Sequence, residues 1–217
     1  MVALTVRDAT PQERRNFLRT RVRAQLPQWA AAGAEPAVLK WLQEGYRLPF
    51  RGTKPRPYNM GRSFQNATTA QIDFLKEEIQ RGIKVGAWER GRSKFINKAF
   101  MVPKPGVNKW RLVIDLRPLN RWLQELPMRM ETLKHLQRLI RQGDYLLSLD
   151  LQDGFYAVAI QPSDRQYLAF EVEGIGVIQL AGLPMGLSSS PYVFTKTVRV
   201  CLLFQQLKRQ WRSTWGI

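Results

Sequence analysis

Asp150 is the residue most out of keeping with its surroundings. It follows Leu146, Leu147, Ser148 and Leu149 and precedes Leu151. An unpaired carboxylate is costly to bury in such an apolar run. At the end of a strand it can instead face a cleft and bind a hard cation. Mg²⁺ is commonly held by one or two carboxylates together with substrate phosphates. Asp153 and Gly154 follow closely. Asp-Leu-Gln-Asp-Gly is also a common strand-to-turn sequence, so the residues alone leave a metal site and a plain turn both open.

Two further segments have the residue types for phosphate chemistry. Lys104, Lys109 and Arg111 crowd a turn containing Pro105 and Gly106. A basic finger of this kind suits a triphosphate, which needs cations and N–H donors. An ordinary charged hairpin fits as well. Asp115 and Arg117 lie two apart, so on a strand they share a face where each can pair with a neighbour. The third segment is Leu183-Pro-Met-Gly-Leu-Ser-Ser-Ser-Pro191. There a loop feeds a serine-capped helix, whose first N–H groups can hold a phosphate or a template backbone. A plain loop and cap is the other reading. His135, the single histidine, lies in a helical pattern and is expected on a helix surface.

The elements that must position these residues are legible in outline. A short helix over 37–44 is stopped by Gly45, and a linker with Pro49, Gly52, Pro55 and Pro57 follows. Thr68, with Gln71 three residues on, caps a longer helix whose face is Ile72, Leu75 and Ile79 and which Gly82 ends. Strands are expected over 99–103 and 110–116, and a helix over 132–141 before Gly143. A strand over 145–151 carries Asp150. Residues 167–180 form a hairpin turning near Gly174. A last helix starts at Ser188 or Ser189 and runs past Leu207.

Charge bounds the partners. The chain of 217 residues holds 34 Lys and Arg against 17 Asp and Glu, a net charge of +17. An excess of that size points to a polyanion, nucleic acid first. Residues 1–100 are the more basic part, with 19 basic and 8 acidic residues. Arg14, Arg15, Arg19, Arg21 and Arg23 make either an arm that lies on nucleic acid or a solvated segment. One cysteine, Cys201, excludes an internal disulfide and a cysteine-rich zinc site. The sequence shows no transmembrane stretch and no signal peptide pattern, so an intracellular protein is expected.

Taken in order, three segments resemble the reverse transcriptases of retroelements. Phe100-Met-Val-Pro-Lys-Pro-Gly-Val-Asn-Lys-Trp-Arg-Leu-Val-Ile-Asp-Leu-Arg-Pro-Leu-Asn120 is similar to the family's fingers hairpin and the strand after it. Ser148-Leu-Asp-Leu-Gln-Asp-Gly-Phe-Tyr156 is similar to its first catalytic motif. Leu183-Pro-Met-Gly-Leu-Ser-Ser-Ser-Pro-Tyr-Val-Phe-Thr-Lys196 is similar to the motif that grips template and nucleotide. The resemblance covers roughly residues 37–210 and leans towards gypsy-like and DIRS-like retrotransposons, the latter through Gly45-Tyr-Arg-Leu-Pro-Phe50 and the Gly-Leu-Ser-Ser-Ser-Pro run.

The resemblance implies an α+β fold: a partial fingers and palm, with an incomplete antiparallel palm sheet packed on helices. Residues 1–60 would be a basic extension and linker, and 61–217 the partial polymerase domain. It implies an RNA-directed DNA polymerase using Mg²⁺ or Mn²⁺ in two-metal nucleotidyl transfer, with an RNA template, an RNA–DNA hybrid and dNTP as partners. Asp150 would be the first metal-binding aspartate and the Leu151 carbonyl a further ligand. Asp153 and Gly154 would offer N–H groups to the triphosphate. Phe155 would be the steric gate against a 2′-hydroxyl, and Lys104 and Arg111 would grip phosphates. Met185 stands where many relatives have Gln or an aromatic residue, which leaves its contact with nucleotide or template open. The family's second acidic motif, an aromatic residue, a variable one and two aspartates, is missing: residues 174–217 contain no Asp or Glu and five basic residues. The chain is therefore expected to be truncated and inactive as it stands. The alternative is a non-catalytic, basic nucleic-acid-binding remnant.

Overall fold

In the computed structural model, residues 22–61, 63–105, 110–128, 137–138, 140–144, 151 and 153–200 are described. Asp150, the strand expected over 145–151, His135, Lys109, Cys201 and the arginines at 14–21 lie outside them. So do most of the helix expected over 132–141 and the last helix beyond 200.

Local chemistry sets the elements that carry the site. Helix α1 is Leu26–Ala31 and α2 is Pro36–Glu44, with proline in the first turn, where its missing N–H costs nothing. Val38 and Leu42 share one face of α2 and are buried. Gly45 ends α2 at φ 94°, and a Cβ there would lie 2.8 Å from the Gln161 nitrogen. That close approach lets Tyr46 donate to the Ala159 carbonyl at 2.7 Å and accept from the Gln161 N–H at 2.9 Å. After the short strand β1, Tyr58–Asn59, the Thr68–Gln71 capping box starts α3, Thr69–Lys84, as expected.

The end of α3 corrects the sequence reading. Gly82 does not stop the helix. It sits on the buried face against Trp88, where a Cβ would lie 2.4 Å from the indole ring. The stop comes at Gly86 (φ 69°), where Gly86 donates to the Ile83 carbonyl and Ala87 to the Gly82 carbonyl, at 2.9 and 3.0 Å. This is the paired-bond ending of a Schellman motif.

The remaining strands are β2 Trp88–Arg90, β3 Phe95–Asn97, β4 Ala99–Pro103, β5 Trp110–Ile114, β6 Ala169–Val172 and β7 Gly176–Leu180. Five form one sheet in the order β1-β3-β6-β7-β2, while β4 and β5 form a separate hairpin. The fold is α+β, but the sheet is mixed rather than antiparallel. Strands β1, β3 and β6 run parallel, and β7 lies antiparallel to both β6 and β2. The reason is connectivity: the chain leaves β3 and returns to β6 only after the long excursion 98–168, and long crossovers make parallel pairing accessible. The β6–β7 hairpin turns at Gly174, at φ 73°, as expected. Strand β5 stops two residues short of its expected end, and the chain turns into the short helix α4, Arg117–Asn120, with Pro118 in its first turn.

The core gathers Leu75 and Ile79 of α3 with Phe170, Ile178 and Leu180 of the sheet and Leu116, Leu119, Ile160 and Leu183 between them. The last described helix, α5, covers 190–200. A second apolar cluster joins Val38 and Leu42 of α2 to Val200 of α5, with Leu26 and Trp29 of α1 against it. No described helix is long and apolar enough to cross a membrane.

Gly82→Ala tests the packing role of that glycine. Helix propensity alone favours the substitution by about 1 kcal/mol. Overpacking against Trp88 costs ~1–3 kcal/mol. The expected outcome is a net loss, read as a lower urea midpoint with an unchanged slope. A raised midpoint would show that the indole gives way freely.

Candidate nucleotide site

The fingers hairpin pairs Val102 with Arg111 and Pro103 with Trp110. Lys104 follows Pro103, the last paired residue of β4, and Arg111 stands opposite Val102 on β5. Both cations are exposed, and neither side chain makes a hydrogen bond or ion pair with a described residue. Arg117 behaves differently. It turns back as the first residue of α4 and grips Asp115 with both arms of its guanidinium, at 2.7 and 2.8 Å, while its backbone N–H adds a bond at 3.1 Å. The Arg117 hydrogen bonds hold the Asp115 carboxyl below the usual carboxylate range. The two residues thus pair with each other, not across a strand face.

The loop 183–189 is fastened from α4. Asn120 donates its side-chain N–H to the Gly186 carbonyl at 2.9 Å and accepts the Ser188 N–H at 3.0 Å. Gly186, at φ 88°, lies beside the Ile114 carbonyl at the end of β5, 3.7 Å from where a Cβ would sit. Met185 is held at the tip of this loop, 74% exposed. Of the two readings of this helix beginning, open N–H groups for a phosphate or a plain loop and cap, the contacts fit the second: the Ser188 N–H donates to Asn120, the Ser190 N–H to the Leu187 carbonyl, and the Ser190 hydroxyl to the Pro184 carbonyl at 2.6 Å. Ser189 and Ser190 are buried, so the cap is a structural one.

The segment after Asp150 is a tight turn. Leu151 is 57% exposed, and its carbonyl accepts the Gly154 N–H at 3.1 Å. Asp153 adopts the left-handed conformation at φ 54°, and residues Gly154–Ala157 form a 3-10 turn. The Asp153 carboxylate lies 3.9 Å from Arg81, which is bonded to Glu78 at 2.6 Å. The Glu78 hydrogen bond is the main reason the Arg81 pKa is raised. Phe155 stacks on Phe194 of α5, with ring centroids 4.5 Å apart and an interplanar angle of 17°. A Cβ on Gly154 would lie 2.9 Å from the same Phe194 ring. The Gly154 N–H, expected to face a triphosphate, is thus already engaged by Leu151.

Three distant segments therefore meet. The end of β5 and α4 hold the loop carrying Met185, and the helix after that loop backs Gly154 and Phe155. Lys104 and Arg111 stay out on the hairpin. Asn120 and Phe194 are the positions that sequence reasoning missed. Asn120 closes the Phe100–Asn120 segment and could have been noted as a polar residue at a helix end. Phe194 carries no signal, since an aromatic residue on a helix reads as core. Among the described residues no cluster of three His, Cys, Asp or Glu forms a metal site, and Asp150 is not among them.

Two outcomes follow from this geometry. Asn120→Ala removes both ties to the loop. Each hydrogen bond contributes ~0.5–1.5 kcal/mol, so proteolysis within 185–188 should accelerate while the urea midpoint falls only modestly. Equal cleavage of both proteins would discard the clamp. The Asp115–Arg117 pair sets a pH window. A carboxyl with a lowered folded pKa stabilises above its unfolded value, about 3.9, and that stability is lost as pH falls through the folded pKa. Asp115→Asn should flatten the acid limb of the stability profile below about pH 4; an unchanged limb would discount the pair.

Comparison with known proteins now bears on this arrangement. A family model described as reverse transcriptase (RNA-dependent DNA polymerase) matches residues 102–215. The Pol polyprotein of equine infectious anemia virus is 30% identical over 175 residues, covering 76% of this chain and 15% of that protein. The transposon Tf2-3 polyprotein of Schizosaccharomyces pombe is 25% identical over 160 residues, 74% of this chain and 11% of that one. The chain thus spans a small part of these relatives. Among solved structures, the prototype foamy virus protease–reverse transcriptase aligns with a TM-score of 0.59 at 21% identity, over 76% of this chain and 25% of that one. A foamy viral protease–reverse transcriptase in complex with double-stranded DNA aligns with a TM-score of 0.57 at 23% identity, over 84% and 34%. The matched span takes in the hairpin after β4, the turn at Gly154 and the loop clamped by Asn120, and the chain belongs to the reverse transcriptase family of retroelements.

Proposed function

We propose that this chain is the fingers and N-terminal palm of a retrotransposon enzyme that copies RNA into DNA, of gypsy-like or DIRS-like type, and that it acts inside the cell. The observation that carries the reading is the meeting of three segments far apart in sequence: the end of β5, the loop carrying Met185, and the turn at Gly154. Phe155 would lie beneath the sugar of an incoming dNTP. Its stacking on Phe194 fixes the ring from behind, and a rigid ring is what rejection of a 2′-hydroxyl requires. Lys104 and Arg111 would reach for the phosphates, and having no acidic partner among the described residues leaves them available for it. The RNA template and an RNA–DNA hybrid would be drawn by the +17 charge.

Divalent cations serve this family. The donor set would be the carboxylate of Asp150 and the carbonyl of Leu151, next to it in sequence, which keeps a second lone pair after accepting the Gly154 N–H. Such hard oxygen donors fit Mg²⁺ completed by substrate phosphates. When bound, the ion would neutralise the phosphates and favour nucleotidyl transfer. Asp153, turned towards Arg81, would take no part in holding it. No acid follows Glu173 in these 217 residues, so a second ion would need carboxylates other than Asp150 from the rest of the site.

Mg²⁺-dependent binding of a fluorescent dNTP to the chain tests the reading. Asp150→Asn should weaken that binding about tenfold or more, the loss of a charged ligand. Phe155→Ala should narrow the preference for dNTP over rNTP while leaving Mg²⁺ dependence in place. RNA–DNA hybrid binding should fall steeply with salt. Nucleotide binding that ignores both Mg²⁺ and Asp150→Asn would reject the polymerase reading and leave a basic binding module. Primer extension abolished by Asp150→Asn would instead show that the chain's carboxylates suffice.

A further inference from the structure

Residues 22–44 precede every segment that resembles the polymerase motifs, yet they pack on the helix in which the last of them ends. Val38 and Leu42 of α2 bury themselves with Val200 of α5, and Leu26, Trp29 and Trp41 close the same cluster. Trp41 stands edge-on between Tyr46, at 5.5 Å, and Tyr192 of α5, at 6.3 Å. Lys196 of α5 bonds to Glu35 at 2.5 Å and lies 5.9 Å over the Tyr192 ring. At its near end the Tyr46 and Ser189 hydroxyls are both buried. Burial there pushes the Tyr46 phenol up to about 12.

The position of α5 matters because Phe194, two residues beyond Tyr192, is the ring on which Phe155 stacks. We infer that the α1–α2 pair is a strut that positions α5, and through Phe194 fixes Phe155 for the nucleotide, with Trp41 as its central positioning residue. The nucleotide part of this inference rests on the function proposed above. The ion pair is exposed enough to be screened, so the apolar seam holds the strut and Glu35–Lys196 sets its register.

Hydrogen exchange on the full 217-residue chain separates the steps. Trp41→Ala should speed exchange of the amides at 190–200 and at 154–158 by about tenfold or more, as local opening becomes easier. Trp41→Phe should restore protection in both. Glu35→Lys and Lys196→Glu should each speed exchange in α5, and the double variant should return it towards the parent value. Phe95→Leu, in the sheet, should not single out these two segments. Unchanged α5 exchange in Trp41→Ala would overturn the strut. Faster α5 exchange with 154–158 unchanged would overturn its reach to Phe155. If Trp41→Ala fails to fold, Trp41→Leu and the charge swap decide the same points. Binding of fluorescent dNTP is the second readout and should weaken in Trp41→Ala by a similar factor. A parent chain that binds no dNTP would reject the proposed function, while the exchange rates still judge the strut.

Discussion

The absence of a side chain at Gly154 is what allows Phe194 to reach Phe155. A Cβ at Gly154 would sit 2.9 Å from the Phe194 ring, closer than real Cβ contacts come, and 3.1 Å from the Leu151 side chain, tighter than most. With hydrogen there instead, the two phenyl rings stack at 4.5 Å and nearly in parallel. Offset stacking of this kind adds ~0.5–1.5 kcal/mol beyond the buried area. Its larger effect is geometric. The stacking ties the turn after Asp150 to α5, and α5 grows out of the loop that Asn120 fastens. Three segments with no sequence proximity thus share one constraint.

Buried polar groups hold the frame around that contact. Asp164 is almost wholly buried and accepts from the Leu48 N–H at 3.0 Å and from Lys54 at 3.3 Å. It pins the proline-rich stretch that follows Gly45 to the turn before β6. Asn97, buried in β3, donates to the carbonyls of Tyr167 and Ala169, at 3.0 and 2.9 Å. Those two bonds join β3 to β6 and fix the start of β6 in the mixed sheet. Losing one partner of such a bond leaves a desolvated group costing about 1–3 kcal/mol. A proline-rich stretch expected to be a linker is therefore bound tightly to the domain.

What was legible in the sequence was local. The Thr68–Gln71 box, the α2 stop at Gly45 and the β4 span each follow from residues within a few positions of one another. Gly82 misled because glycine has two uses, ending a helix and admitting a large neighbour, and only the distant Trp88 tells which applies. The mixed sheet was hidden for the same reason: strand direction depends on where a crossover of many residues returns. Of the site, the three segments could be named because their residue types are unusual. Asn120 offered only the weak signal of a polar residue at a helix end, and Phe194 none, because a side chain that acts by holding another residue looks ordinary in its own stretch of sequence.

Charge divides the cations by use. Arg117, Arg81, Arg165 and Lys196 are each held by a carboxylate within 2.7 Å: Arg81 within α3, Arg117 at the end of β5, and Arg165 and Lys196 across elements distant in sequence. Arg165, bonded to Glu89 and to the Ile160 carbonyl, links the turn before β6 to β2. With 17 acids against 34 bases, many cations must lack such a partner. Evenly spread, the surplus would only add self-repulsion. Lys104 and Arg111 are part of it, and they stand on a hairpin separate from the main sheet. A cation already satisfied by a carboxylate gains little from a phosphate, because it must first give up its partner. One facing water from a projecting hairpin gives up only hydration. The pairing pattern therefore separates the cations that hold the fold from those free to meet a polyanion, a distinction that net charge alone does not make.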